Sequence, residues 1–129
     1  MSIDAHLWRA YSNVRLKFLA AWECQCYVII TACNPRSSQV SKEINCIKNL
    51  QLERDIARFP YQNVKVGDPN FDWMEDSFAV EISLTQGCEL AQIYEQNAIY
   101  FVENGVLFLV SCDQPRRQTN LGPLSQFVY

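Results

Sequence analysis

The chain has 129 residues, a formal charge of −3, 49% hydrophobic and 19% charged residues, four glycines and five prolines. This composition is typical of one folded domain, and it excludes a disordered chain, which would be less hydrophobic, and a collagen-like chain, which would repeat glycine. The acidic balance disfavours a general nucleic-acid binder, because such binding depends largely on Lys and Arg that displace counterions from phosphates.

The sequence shows neither the pattern of a secretory signal nor that of a membrane span. Asp4 precedes any positive charge, and residues 1–8 contain no long apolar run. The longest apolar runs, 27–30 and 106–110, are too short to cross a bilayer, which takes about 20 residues. We therefore expect a cytoplasmic protein that does not associate with membranes.

An amphipathic helix is predicted from residue 2 to about residue 20. Apolar residues recur there at intervals of three or four, which places them on one helix face. These residues are Ile3, Leu7, Tyr11, Val14 and Phe18. Ser2 is available to cap this helix, and Asp4 suits its positive end.

A buried central strand and a second helix come next. Residues 26–32 are continuously apolar and rich in β-branched side chains, as a strand covered on both faces requires. Asn34-Pro35 ends the strand, because proline lacks a backbone N–H and holds the preceding residue in an extended or turn conformation. Residues 40–59 carry spaced apolar side chains among charged ones, which predicts a helix that Ser38 or Ser41 caps.

Two further strands and a short helix follow. A strand over 61–66 precedes a turn at 67–70, and the alternating side chains of 77–84 predict a half-buried strand. Residues 86–95 form a short predicted helix. Its apolar side would carry Cys88, Ala91 and Tyr94.

The clearest local signal is a β-hairpin. Two apolar segments, 98–103 and 106–110, flank Asn104-Gly105, a pair that accepts the positive φ angles of a type I′ turn. After residue 112 the composition becomes polar. We therefore predict one globular domain over residues 1–112 and a polar C-terminal tail over 113–129, whose last apolar residues are available to dock on the body or on a partner.

The interleaved order of helices and strands, with at least one hairpin, predicts an α+β fold. We expect a single-domain, two-layer α/β sandwich with a mixed or antiparallel sheet, about three helices and a C-terminal β-hairpin.

The six cysteines predict neither disulfides nor a metal site. A disulfide framework is typical of secreted chains with small cores, whereas this chain has an ample core and an expected reducing location. No Cys-x-x-Cys pair is present and His6 is the only histidine, so the four-ligand spacing of a structural zinc site is missing. No metal and no cofactor is predicted.

Catalytic residues cannot be assigned from the sequence, and the question of enzymatic activity stays open. Glu75 is the candidate acid or base, since burial among neighbouring aromatic residues would raise its pKa; a salt bridge or a capped turn is the alternative role. Cys33 and Cys46 are candidate nucleophiles, but His6 has no evident Asp or Asn partner that would make it an activating base.

Several short strings along the chain resemble a known family. They are Leu7-Trp8, Ile29-Ile30-Thr31-Ala32-Cys33-Asn34-Pro35 with Ser37 and Ser41, Asn45, Trp73-x-Glu75-x-Ser77-Phe78, and Gln96-Asn97-Ala98-Ile99-Tyr100. The chain is similar, over roughly residues 7–110, to the bacterial family of unknown function DUF3293. This resemblance implies a small cytoplasmic bacterial protein, and it implies no activity, ligand or catalytic residue. It does not extend to the segment after residue 112.

The polar residues of these strings lie where predicted strands end or begin, or in the start of the second helix. The candidate ligand-binding residues are Thr31, Asn34, Ser37, Ser41, Asn45, Glu75, Ser77, Gln96 and Asn97. If these ends converge, they form a patch of neutral hydrogen-bonding groups with one carboxylate, as in a pocket for a polar small molecule, including a nucleotide-like one. The alternative is a structural role, in which each side chain satisfies buried backbone or caps a helix.

A different hypothesis is that the protein catalyses no reaction and instead binds another protein or forms a homodimer. Its surface would consist of exposed aromatic residues and the end of the tail, because aromatic residues are enriched at interface hot spots. These residues are Trp8, Tyr61, Phe71, Trp73 and 126–129. A nucleic-acid role would require a basic face assembled from Arg9, Arg15, Lys17, Arg54 and Arg58.

Overall fold

Seven strands and three helices make up the described part of the chain. The computed structural model describes residues 5–113 and 115–128. In chain order the elements are α1 (Ala5–Ser12), β1 (Arg15–Phe18), β2 (Cys26–Ile30), α2 (Lys42–Ile56), β3 (Tyr61–Gly67), β4 (Met74–Val80), α3 (Leu84–Ile93), β5 (Ala98–Glu103), β6 (Val106–Ser111) and β7 (Gln118–Pro123). The fold is therefore α+β, as predicted. Within this part of the chain, no helix is both long and apolar enough to cross a membrane.

The seven strands form one antiparallel sheet with β2 at its centre. The strand order is β1-β3-β4-β2-β5-β6-β7, and each neighbouring pair is antiparallel. Residues 27–30 of β2 are all buried, as its run of apolar residues requires. The prediction of a central strand is confirmed.

The sheet is curled, and the end of the chain returns to its first strand. Val128 forms a parallel bridge with Leu16 of β1. The backbone N–H of Leu16 donates to the carbonyl oxygen of Phe127 at 2.7 Å, and Arg15 Nη1 donates to the carbonyl oxygen of Gln126 at 2.7 Å. The segment after β7 therefore covers the outer edge of β1.

Each face of the sheet carries its own apolar cluster. We call the face that α2 and α3 cover the helical face; Val28, Ile30, Leu52 and Ile56 belong to its cluster. The other face, here the inner face, carries a second cluster that includes side chains of α1 and of the C-terminal segment. Its members include Leu16, Ile29, Tyr100 and Leu109, with Trp8, Tyr11, Leu124 and Phe127 packed against them. The predicted two-layer sandwich fits only in part, because both faces are covered.

The first predicted helix is wrong beyond Ser12. α1 ends there, and the chain continues as β1, which pairs with β3. The apolar residues Val14, Leu16 and Phe18 alternate with Arg15 and Lys17, and this period of two is the one that the structure follows. The predicted start of the helix, with Ser2 and Asp4, lies outside the described residues.

Side-chain caps set where α2 and α3 begin. Ser41 accepts a hydrogen bond from the backbone N–H of Ile44, which confirms its predicted role. Ser83 and Gln86 form a capping box, so α3 begins at Leu84 and the strand predicted over 77–84 is displaced. The actual strand, β4, spans Met74–Val80, and its last four residues are all buried rather than alternating.

β5 and β6 are adjacent strands joined by Asn104-Gly105, whose φ angles are 50° and 79°. These positive values are those of a type I′ turn. The C-terminal position predicted for this hairpin fits only in part, because β7 pairs with β6 beyond it. The predicted boundary at residue 112 stays a prediction, although Gln118–Pro123 within the predicted tail forms the edge strand β7.

Candidate functional site

A cavity of about 390 Å³ lies on the inner face of the sheet, beneath α1. Seven of the nine candidate binding residues line it, namely Thr31, Asn34, Ser37, Glu75, Ser77, Gln96 and Asn97. Thr31 and Gln96, which are distant in sequence, therefore lie around the same hollow. The rest of the wall is largely apolar and includes Leu7, Val14, Ile29, Val66 and Leu109.

The strand order explains why these segments meet. β2 lies between β4 and β5 and is antiparallel to both, so the end of β2 lies beside the beginnings of its two neighbours. Thr31 follows β2, Glu75 and Ser77 lie near the start of β4, and Gln96 and Asn97 precede β5. Polar side chains at these strand ends converge for that reason.

Asn34 organises the loop that follows β2. Its Nδ2 donates to Glu75 Oε2 at 2.7 Å, and its Oδ1 accepts from the backbone N–H of Val40 and from Asn45 Nδ2, each at 3.1 Å. Its backbone N–H donates to Asn45 Oδ1 at 2.8 Å. The amide of Asn34 thus joins β4, the loop and α2.

This loop has an unusual backbone. Asn34, Arg36 and Ser37 have φ angles of 48°, 56° and 61°, in the left-handed region that side chains other than glycine rarely adopt. The backbone N–H of Arg36 donates to the carbonyl oxygen of Glu95 at 2.7 Å, which ties the loop to the end of α3. Strained residues of this kind persist only where the surrounding structure holds them.

Two of the nine candidate residues do not line the cavity. Ser41 caps α2, and Asn45 uses its side chain on Asn34. Both therefore have the structural role that the sequence left open as the alternative. Asn45 lines a second hollow of about 630 Å³ on the helical face, between α2 and the strands β3 and β4.

Thr31 and Gln96 line the cavity but also hold its rim together. Thr31 Oγ1 donates to the carbonyl oxygen of Asp76 at 2.7 Å and accepts from the backbone N–H of Cys33 at 3.1 Å. Gln96 Nε2 donates to the carbonyl oxygens of Cys33 and Tyr94, at 3.0 and 3.2 Å. These hydrogen bonds fix the positions of the strand ends.

Glu75 is the acidic group of the cavity wall. It is half-buried, and Asn34 is the hydrogen-bond donor to its carboxylate among the described residues. Burial raises the pKa of Glu75 above its ordinary value of 4.5, and the hydrogen bond from Asn34 opposes that rise. The two ion pairs found in the described residues, Arg36–Glu95 and Lys65–Asp76, do not involve it. Its second oxygen, Oε1, therefore has no partner there.

Three polar side chains connect α1 to the opposite rim. The hydroxyl groups of Tyr11 and Ser37 are hydrogen-bonded to each other, and Asn97 Nδ2 donates to Ser37 Oγ at 3.0 Å. Tyr100 OH donates to the carbonyl oxygen of Tyr11 at 2.5 Å. The guanidinium of Arg117 lies 3.7 Å from the ring centroid of Trp8, which holds α1 against the chain immediately before β7. α1 thus covers the cavity.

Sequence reasoning missed the aromatic part of the wall, which consists of Tyr11, Trp73 and Tyr100. Tyr11 was assigned to the apolar face of a helix, and nothing in its spacing shows that it would face a cavity. A weaker signal was present for Tyr100, which belongs to the same family string as Gln96 and Asn97; in β5 it shares a face with Ala98, another lining residue.

Cys33 is not an activated nucleophile. It is 5% exposed, and burial, the largest influence, raises the pKa of its thiol above 9.0. Asn49 Nδ2 donates to its sulfur at 3.2 Å. A thiolate is the reactive form, so the raised pKa leaves Cys33 unreactive at neutral pH. Among the described residues, no three His, Cys, Asp or Glu side chains come together as a metal site requires.

These features define an α+β protein whose curled antiparallel sheet holds a cavity at the ends of its central strands. The chain belongs to the family described as "Protein of unknown function (DUF3293)", whose model matches residues 30–99, more than half of the chain. The matched range contains all nine candidate residues, whereas α1 and Tyr100 lie outside it. No curated protein matches the chain, and no solved structure does.

Proposed function

We propose that this protein binds a small organic molecule in the cavity of the inner face. The observation that carries the proposal is the composition of the wall, where apolar side chains surround a half-buried carboxylate, one oxygen of which has no partner in the described part of the chain. Ligand pockets of proteins have this character, since apolar walls supply affinity and a few placed polar groups supply orientation. The volume of about 390 Å³ lies within the range of about 300–1,000 Å³ that is usual for such pockets.

The charge of the wall narrows the class of ligand. Among the described lining residues there is no Lys or Arg, and the charged group present is the carboxylate of Glu75. A phosphate in this cavity would be repelled by Glu75 and would find no cation to pair with. The proposal therefore excludes the nucleotide-like ligands that the sequence left open.

The proposal concerns binding and includes no reaction. A general acid or base alone does not make a catalyst, because a nucleophile or a group that stabilises the transition state must accompany it. The pKa of the Cys33 thiol is raised, the Tyr11 hydroxyl is hydrogen-bonded to Ser37, and the Tyr100 hydroxyl donates to a backbone carbonyl oxygen. We further propose a cytoplasmic location in a bacterial cell, where six cysteines without disulfides stay reduced.

A cavity-filling variant tests the proposal. Ala98 lines the cavity, so Ala98→Phe would occupy part of the space, whereas Ala21→Phe adds the same side chain at an exposed loop position. Native mass spectrometry of the purified chain should show a bound small molecule with the parent protein and with Ala21→Phe, and lose it with Ala98→Phe. If Ala98→Phe keeps the same bound mass while remaining folded by circular dichroism, the cavity is not the binding site.

A second candidate function is self-association, and an exposed apolar row on α2 favours it. Ile44, Ile47 and Leu50 are 45%, 55% and 53% exposed. They follow one another at intervals of three, so they form a continuous stripe along the helix. Light scattering over a range of concentrations should then show dimers that Ile47→Lys dissociates; a monomer at every concentration excludes this candidate.

The aromatic residues expected to form an interaction surface are mostly packed into the body. Trp8, Tyr61 and Phe71 are half-buried, and of the four only Trp73 is largely exposed, at 46%. The ring of Tyr61 packs edge-on against Phe78, and Phe127 packs on the inner face. The stripe on α2, not these aromatics, is therefore the surface on which self-association would depend.

A further inference from the structure

We propose that the ligand of the inner cavity is an organic ammonium, that is, a protonated amine on an apolar body. The inference rests on the proposed binding function and adds the chemical class of the ligand. Three features of the wall support it, namely its charge, the engagement of its other polar groups and its aromatic residues.

The wall of the cavity carries one carboxylate, that of Glu75, among its described lining residues. Glu75 lies on the inner face of β4 opposite Val66 of β3, with the amide of Asn34 as its polar neighbour. A carboxylate in an apolar surrounding is costly unless a cation compensates it. The basic residue of the neighbouring strand β3, Lys65, belongs to the opposite face and pairs with Asp76 at 3.1 Å. No Lys or Arg of the described chain forms an ion pair with Glu75, and a cationic ligand would supply one.

The other hydrogen-bond donors of the wall, apart from the exposed Gln39, are already used. Tyr11, Ser37 and Asn97 bond to one another, Tyr100 donates to backbone, and Gln96 donates to two carbonyl oxygens. A ligand that accepted several hydrogen bonds would have to break these contacts. A ligand with a single strongly polar group would not, because Glu75 Oε1 has no partner among the described residues.

Aromatic residues complete the recognition. The rings of Tyr11, Trp73 and Tyr100 line the same cavity as Glu75. Organic cations are attracted to the faces of aromatic rings by the ring quadrupole, and sites that combine such rings with a carboxylate favour ammonium groups over neutral ones. Trp73 is 46% exposed and so is accessible to an entering ligand. The apolar remainder of the wall suits a hydrocarbon body.

Three compounds of nearly equal size separate the head groups. Phenethylamine, 2-phenylethanol and phenylacetate carry an ammonium, a hydroxyl and a carboxylate on similar apolar bodies. Their binding to the full chain is measured at pH 7 by titration monitored through backbone amide NMR shifts. We expect phenethylamine to bind about tenfold more tightly than 2-phenylethanol, because hydrogen bonds to charged groups are worth about 1.4 kcal/mol more than neutral contacts. Phenylacetate should bind least.

Two matched variants assign the preference to Glu75. Glu75→Gln keeps the shape and an acceptor for Asn34 but removes the charge, so the preference for the amine should vanish. Asp76→Asn removes the same charge one position away on the opposite face, so the preference should persist.

The outcomes are distinguishable. Equal binding of amine and alcohol at the cavity residues, or a preference that survives in Glu75→Gln, overturns the ammonium inference and leaves the cavity as a binding site. No shift at the cavity residues with any of the three compounds at millimolar concentration overturns both the inference and the proposed function.

Discussion

Replacing Asn34 with alanine tests whether one side chain holds the candidate site in shape. The substitution removes three side-chain hydrogen bonds, to Glu75, Val40 and Asn45. At about 1 kcal/mol for each, their loss lowers the free energy of unfolding by about 3 kcal/mol. Alanine at a φ of 48° adds about 1 kcal/mol of backbone strain. The expected total of about 4 kcal/mol is a large fraction of the 5–15 kcal/mol that is usual for a domain.

Asn34→Gly separates the two contributions. Glycine loses the same three hydrogen bonds but adopts a positive φ freely, so it should cost about 1 kcal/mol less than alanine. Urea unfolding followed by the fluorescence of the three tryptophans measures both variants. A cost below about 1 kcal/mol for Asn34→Ala would contradict the central role given to this side chain. If Asn34→Ala and Asn34→Gly lower the free energy of unfolding equally, the backbone at position 34 is not strained.

Three further predictions concern Glu75 and two glycines. The folded-state pKa of Glu75 is raised, so its ionisation removes stability as the pH rises from 4.5 through that pKa. Glu75→Gln should therefore unfold at higher urea than the parent at pH 7, with the difference disappearing near pH 4; a constant difference would exclude this. Gly87→Ala places a Cβ at 2.8 Å from Val28 Cγ1, and overpacking of about 2 kcal/mol should outweigh the helix-propensity gain of about 1 kcal/mol, which lowers the melting temperature. The Cβ added by Gly105→Ala meets no atom within 4 Å, so the only expected cost is that of placing alanine at a φ of 79°. Urea unfolding should show a loss of about 1 kcal/mol in the free energy of unfolding. An unchanged free energy of unfolding would contradict the positive φ at this turn.

Much of the fold could be predicted because local patterns and tertiary structure agree there. The apolar run of β2 predicts a strand covered on both faces, and the structure places it at the centre of the sheet. Ser41 and Asn104-Gly105 act through their own backbone neighbourhood, so their roles can be predicted without knowledge of distant contacts.

The errors occur where local patterns are ambiguous or weak. Val14 and Phe18 fit the spacing of the predicted helix, whereas Val14, Leu16 and Phe18 fit the alternation of a strand, and the pairing of β1 with β3 decided between the two. β7 has no apolar alternation, because it is an edge strand held by backbone pairing with β6. The hydrophobic pattern of the sequence therefore does not predict such a strand.

The candidate site was predictable in its location but not in its chemistry. Polar residues at strand ends marked the region, and the antiparallel neighbours of β2 brought seven of nine together. Which polar atoms stay available depends on geometry. Asn34 and Gln96 are engaged in holding the loop, whereas Glu75 keeps one oxygen without a partner among the described residues. No sequence pattern distinguishes these cases.

The bridge between Leu16 and Val128 bears on how the protein is synthesised. β1 leaves the ribosome before the segment that covers it, because 111 positions separate Arg15 from the Gln126 carbonyl that it binds. During translation the outer edge of β1 is therefore bare, and a bare edge is a template for pairing with a neighbouring nascent chain. Arg15 and Lys17 place positive charges on this short strand, and such charges disfavour pairing between two copies of the uncovered edge.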